Sequence, residues 1–75
     1  MPKLPVISGK ELVTALKKAG FVEVRHKGSH VSLQKVTQET TYRTVVPMHK
    51  ELAKGTLLDI LHQTGLNREE LIKLL

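Results

Sequence analysis

The chain has 75 residues and no cysteine, and its 12 Lys and Arg against 7 acidic residues give a formal net charge of +5. That length holds one domain, residues 1–75, with a thin core, since a chain so short buries only about 60% of the surface it exposes when unfolded. The missing cysteines exclude disulfides and cysteine-ligated metals, and the cationic excess points to a polyanionic partner, either nucleic acid or an acidic protein.

Pro2 and Pro5 hold the first residues extended. The stretch Met1 to Pro5 has no apolar core of the kind a signal peptide needs. No later apolar run is long enough to span a membrane. A soluble, cytoplasmic protein is expected.

The first helix has the best-specified start. Ser8 and Glu11 form a capping box, with Ile7 and Leu12 as the flanking hydrophobic staple. Leu12, Leu16 and Ala19 share one face with Val13 beside it, and Lys10, Lys17 and Lys18 occupy polar faces. Gly20 suits the position just past the helix end, from which Phe21 closes back on Leu16.

Phe21 to Lys27 alternates as a half-buried strand, which makes His26 a partly buried structural residue. Gly28-Ser29 fits a two-residue hairpin turn. His30 to Gln34 alternates again, with Val31 and Leu33 inward and His30, Ser32 and Gln34 outward. The polar stretch Thr37 to Thr40 reads as the second hairpin loop, and the β-branched Tyr42 to Val46 as a third strand stopped by Pro47.

A loop rich in ionisable groups runs from Pro47 to Gly55. A second helix is expected to start near Thr56 as its N-cap, with Asp59 at N3 and Leu57, Ile60 and Leu61 as its apolar stripe. Gly65 ends it, His62 lies in its last turn, and Leu66 packs back on Leu61. Asn67 caps a final short helix with Glu70 at N3, and Leu71, Leu74 and Leu75 give that helix a core side.

The expected class is α+β, in the order α-β-β-β-α with a short C-terminal helix. A three-stranded antiparallel sheet would carry both main helices on one face and leave the other to solvent or a partner. That is the layout of the double-stranded-RNA-binding domain (dsRBD).

Chemically, the segment Gly28-Ser29-His30 stands out. Histidine side chains ordinarily titrate near 6.5, so an imidazole both accepts and donates protons near neutrality. An imidazole presented by a glycine turn on a cationic surface has what cleavage of an RNA backbone requires. The plainer reading is an exposed histidine on a solvated sheet face. Gly28 serves the turn by adopting a positive φ, and its bare backbone also lets a phosphate come close. Lys27, Lys35, Arg43, Lys50 and Lys54 are candidate phosphate contacts; Lys54-Gly55-Thr56 is the best placed, at a helix start where free N–H groups attract anions. The alternative for any of them is a solvated charge. His49 is a candidate phosphate contact or second proton donor. The histidine spacing gives no zinc pattern, so neither metal nor cofactor is expected.

Three segments together resemble the HicA family of bacterial toxins, small mRNA interferases with a dsRBD-like fold. They are Ser8-Gly9-Lys10-Glu11-Leu12 running into Leu16-Lys17-Lys18-Ala19-Gly20-Phe21, then Lys27-Gly28-Ser29-His30, then Pro47 to Leu57 with the helix end Ile60 to Leu66. The N-terminal Met-Pro-Lys-Leu-Pro has no clear family counterpart. The resemblance implies a metal-independent endoribonuclease that cleaves mRNA to block translation and is held silent by a HicB-like antitoxin. It implies that His30 is the catalytic histidine. Lys27, Gly28, Ser29, Arg43, His49, Lys50 and Lys54 are then the expected RNA-binding residues, in a protein that is monomeric when free. Two rivals remain. One is a non-catalytic double-stranded-RNA-binding module, whose second helix usually opens with more lysines than Lys54 alone. The other is an interaction domain whose basic face meets an acidic protein. The near absence of aromatic residues argues against single-strand binders that stack bases.

Overall fold

Helix α1 (Gly9–Lys18) starts where local hydrogen bonding dictates. In the computed structural model, which describes residues 3–75, the Ser8 hydroxyl accepts from the Glu11 amide at 3.0 Å and the Ser8 amide donates to the Glu11 carboxylate at 3.0 Å. The helix stops in a Schellman motif: Gly20 takes φ +99°, its amide donates to the Lys17 carbonyl at 3.1 Å, and the Phe21 amide reaches the Leu16 carbonyl at 2.9 Å. The expected role of Pro2 falls outside the described residues.

Strands β1 (Val22–Lys27), β2 (His30–Val36) and β3 (Thr41–Pro47) form an antiparallel sheet in that order. The β1–β2 turn has positive φ at Gly28 (+59°) and not at Ser29, the pattern of a type II′ hairpin. In the second hairpin loop the Thr37 hydroxyl accepts from the Thr40 amide at 3.0 Å. Pro47 closes β3 as its last residue, opposite His30, at a position where no ladder donor is needed.

The half-burial expected of β1 is not found. All six of its residues are exposed, His26 included. Two causes combine. The register slips between Glu23 and Arg25, leaving Val24 as a bulge that breaks the alternation. The helices also cover β2 and β3 instead, so the core contact at this end is made by Phe21, just before the strand.

Helix α2 (Lys54–Thr64) begins two residues before the expected Thr56 cap. Its N-cap is Ala53, which supplies no side-chain hydrogen bond. The start is set instead by the chain before it, where the Leu52 amide donates to the Ile7 carbonyl at 2.9 Å and Leu52 enters the core. Gly65 ends α2 at φ +74°, and the Leu66 amide bonds the Leu61 carbonyl at 3.2 Å. Helix α3 (Arg68–Leu74) opens with the Asn67–Glu70 capping box.

Leu12, Val13 and Leu16 of α1, Leu57, Ile60 and Leu61 of α2, and Leu71 of α3 join Val31, Leu33 and Val46 in one cluster. All three helices therefore pack on the same face of the sheet. Fully burying each such side chain contributes about 1.5–3 kcal/mol, so this cluster supplies the main apolar stabilisation. Leu74 only packs against the cluster, and Leu75, expected in the core, is half exposed because it follows the last helical turn. The class is α+β, as expected, with one open sheet face.

Candidate nucleic-acid interface

His30 is the first residue of β2, directly after the glycine turn, and it is exposed. Its neighbour Val31 is 2% exposed. The period of two along a strand therefore anchors His30 through Val31 in the core and turns its ring outward. The Ser29 hydroxyl lies 3.5 Å from His30 Nδ1, a long contact that involves only one of the two ring nitrogens. A side chain at Gly28 would meet nothing within 4 Å, so the turn is an unobstructed approach to this ring.

The second part of the site is the segment from Met48 to Ala53, which runs as a strap between β3 and α2. Three backbone hydrogen bonds fasten it. Met48 N–H donates to Ser29 C=O at 2.6 Å, Gly9 N–H to His49 C=O at 2.9 Å, and Leu52 N–H to Ile7 C=O at 2.9 Å. The first bond ties the strap to the histidine turn, and the second ties it to the start of α1. His49 and Lys50 are thereby held beside Lys27, Gly28, Ser29 and His30, and both are exposed.

Gly9, between Ser8 and Glu11 of the capping box, is a positioning residue. A Cβ there would collide with the Pro47 carbonyl oxygen and lie 2.9 Å from Met48 Cα. Close approach of α1 to the strap needs a bare backbone. The signal was available, because glycine at the first position of a helix is not the residue that helix geometry favours.

The other candidates lie apart. Arg43 pairs with Gln34, whereas His30 pairs with Pro47, so Arg43 sits four residues, roughly 13 Å, further along β3 on the same open face. Lys54 lines a separate cleft of about 390 Å³ together with Lys3 and Arg68, beside the uncapped start of α2.

Lys35 is removed from the phosphate contacts. It follows Val31 and Leu33 in the inward phase of β2, and its ammonium donates to the Ala19 carbonyl at 2.8 Å, 6.0 Å from the centre of the Phe21 ring. It closes the C-terminal end of α1, where a cation meets the negative end of the helix dipole.

Among the carboxylates, Glu51 lies in the strap directly after Lys50 and is exposed. Glu23 pairs with Lys17 at 3.5 Å and lies 3.9 Å from His26. Among the described residues no three His, Asp or Glu side chains gather into a ligand set, and no helix is long and apolar enough to cross a membrane. The arrangement can hold an anionic chain against an accessible imidazole.

The family model described as the HicA toxin of bacterial toxin–antitoxin systems matches residues 9–66, from the first residue of α1 to the end of α2. No curated protein matches the chain significantly.

Proposed function

The chain belongs to the HicA toxin family of bacterial toxin–antitoxin systems, and from that premise we propose that it is a metal-independent endoribonuclease that cleaves mRNA through His30. The observation that carries this reading is the exposed His30 ring beside an open glycine turn. Lys27, Gly28, Ser29, His49 and Lys50 form the binding surface around it, and Arg43 and Lys54 extend it.

In the proposed reaction the ribose 2′-oxygen attacks the adjacent phosphorus. The bond from phosphorus to the 5′-oxygen breaks, leaving a 2′,3′-cyclic phosphate and a 5′-hydroxyl. The proton lost by the 2′-hydroxyl is balanced by one gained at the 5′-oxygen, and His30 handles at least one of these transfers. A single positioned acid or base contributes typically about 10²–10⁴-fold. Lys27 and Lys50 offset the charge that builds on the phosphate oxygens. The protein acts as a single domain in the cytoplasm, is a monomer when free, and is held silent by a HicB-like antitoxin.

The test is the His30→Ala protein, which should fold and lose both RNA cleavage and growth arrest. Full activity from the folded variant would end the assignment.

A further inference from the structure

The strands place a second set of RNA-competent groups on the sheet face that no helix covers. Cross-strand partners share a face, so Arg25 opposite Ser32, Gln34 opposite Arg43 and Ser32 opposite Val45 all lie with His30 on the open side. An open groove of about 630 Å³ is lined by Arg25, Ser32, Gln34, Arg43 and Val45 of this face, and it also reaches Leu33, Thr44 and, on α2, Gln63. The two arginines come from the outer strands and flank the polar pair Ser32 and Gln34 on the central strand. From strand spacing and rise they stand about 12 Å apart. The nearer, Arg25, is two pairing steps from Lys27 and His30 along the strands.

Charge on this face is segregated. Among the described residues neither arginine has an ion-pair partner. Glu23 pairs with the buried Leu33 and so belongs to the helix side, where it meets Lys17. Every other carboxylate lies in a helix or a loop. The aromatic residues Phe21 and Tyr42 both pack with the helices, so this face offers bases no Phe or Tyr ring to stack on. It offers guanidinium forks for phosphate and one hydroxyl and one amide for base edges.

We infer that the helix-free face of the sheet is a binding track for single-stranded RNA, in which Arg25 and Arg43 hold phosphates remote from the cleaved bond while Ser32 and Gln34 contact base edges. The inference rests on the ribonuclease reading for the point where the track begins, at His30. It adds a second subsite and three residues with no earlier role, Arg25, Ser32 and Gln34. A track built mainly on phosphate contacts holds the backbone more than it reads sequence.

The experiment measures binding rather than cleavage. In a His30→Ala background, the full chain is titrated with a single-stranded tetranucleotide and dodecanucleotide RNA across a salt series. The dodecanucleotide should bind more tightly. Arg25→Gln plus Arg43→Gln should flatten its dependence of log K on log salt by about 1.4, and each single change by about 0.7, with little effect on the tetranucleotide. The single variants carry the test if the double variant melts early. Unchanged affinity and salt slope for the longer RNA would overturn the track. So would a weakened antitoxin complex with RNA binding untouched, which would give the face to a protein. Absence of cleavage by the unsubstituted protein would instead strike the ribonuclease reading, so the two failures are distinct.

Discussion

The amide of Met48 donates to the carbonyl of Ser29 across 2.6 Å. This bond joins the turn that carries His30 to the strap that carries His49 and Lys50. Because the same strap accepts from the Gly9 amide, the geometry around His30 depends on residues at the start of α1. Groups that touch RNA and groups that hold those in place should therefore respond differently to substitution.

His30→Ala should leave the fold intact, because the side chain is exposed and its one side-chain hydrogen bond among the described residues is a long contact to Ser29. Stability should stay within about 0.5 kcal/mol, while cleavage should fall by about 10²–10⁴-fold. Thermal melts followed by circular dichroism, paired with cleavage of a labelled RNA, check both halves.

Gly9→Ala should act in the opposite way. The added methyl meets the Pro47 carbonyl and the Met48 backbone, neither of which is a flexible side chain. A loss of about 1–3 kcal/mol is expected, with a fall in cleavage as the strap shifts. Unchanged stability and activity would show that the strap does not need this close approach.

Gly28→Ala isolates backbone strain. The new Cβ meets nothing, but φ +59° costs an L-residue about 1–2 kcal/mol. Gly28→Asn should cost less, because Asn tolerates this conformation better. Equal losses for both variants in denaturant titrations would contradict a purely conformational role.

Lys35→Met should lower stability by about 0.5–1.5 kcal/mol through the lost bond to the Ala19 carbonyl. It should leave the salt slope of RNA binding unchanged. Lys27→Met should do the reverse, flattening the slope by about 0.7 with little effect on stability. The pair distinguishes a lysine that closes a helix from one that meets a phosphate.

Cleavage should survive a chelator and yield fragments ending in a 2′,3′-cyclic phosphate, with 5′-hydroxyl ends ready for kinase labelling. Products carrying a 5′-phosphate, or activity abolished by chelation and restored by a divalent ion, would replace the histidine mechanism with a metal-assisted one.

The parts of the fold that could be read from sequence are those written in short-range hydrogen bonds. The Ser8–Glu11 and Asn67–Glu70 boxes and the Gly20 and Gly65 helix ends each involve residues a few positions apart. The α2 start was missed because Ala53 offers no capping atom, and a long-range bond from Leu52 to Ile7 sets it instead. The exposure of β1 was hidden for two reasons. A bulge leaves no mark in apolar alternation, and only the tertiary arrangement decides which strands the helices cover. Lys35 was legible in principle, since extending the inward phase of Val31 and Leu33 by two residues reaches it. Its long aliphatic stem lets a charged residue occupy that phase. For the candidate site, the turn and His30 were visible locally, but the separation of Arg43 and Lys54 from them depends on strand register and on the path of the strap.

The Val24 bulge has a consequence for how the protein behaves when concentrated. β1 is an outer strand with its backbone available, and a flat strand of valines there would invite a second molecule to add its own strand. The kink interrupts that template, and the charged Glu23, Arg25 and Lys27 around it would lose hydration if a second strand were added. The β1 margin is thereby guarded against strand addition by a second molecule.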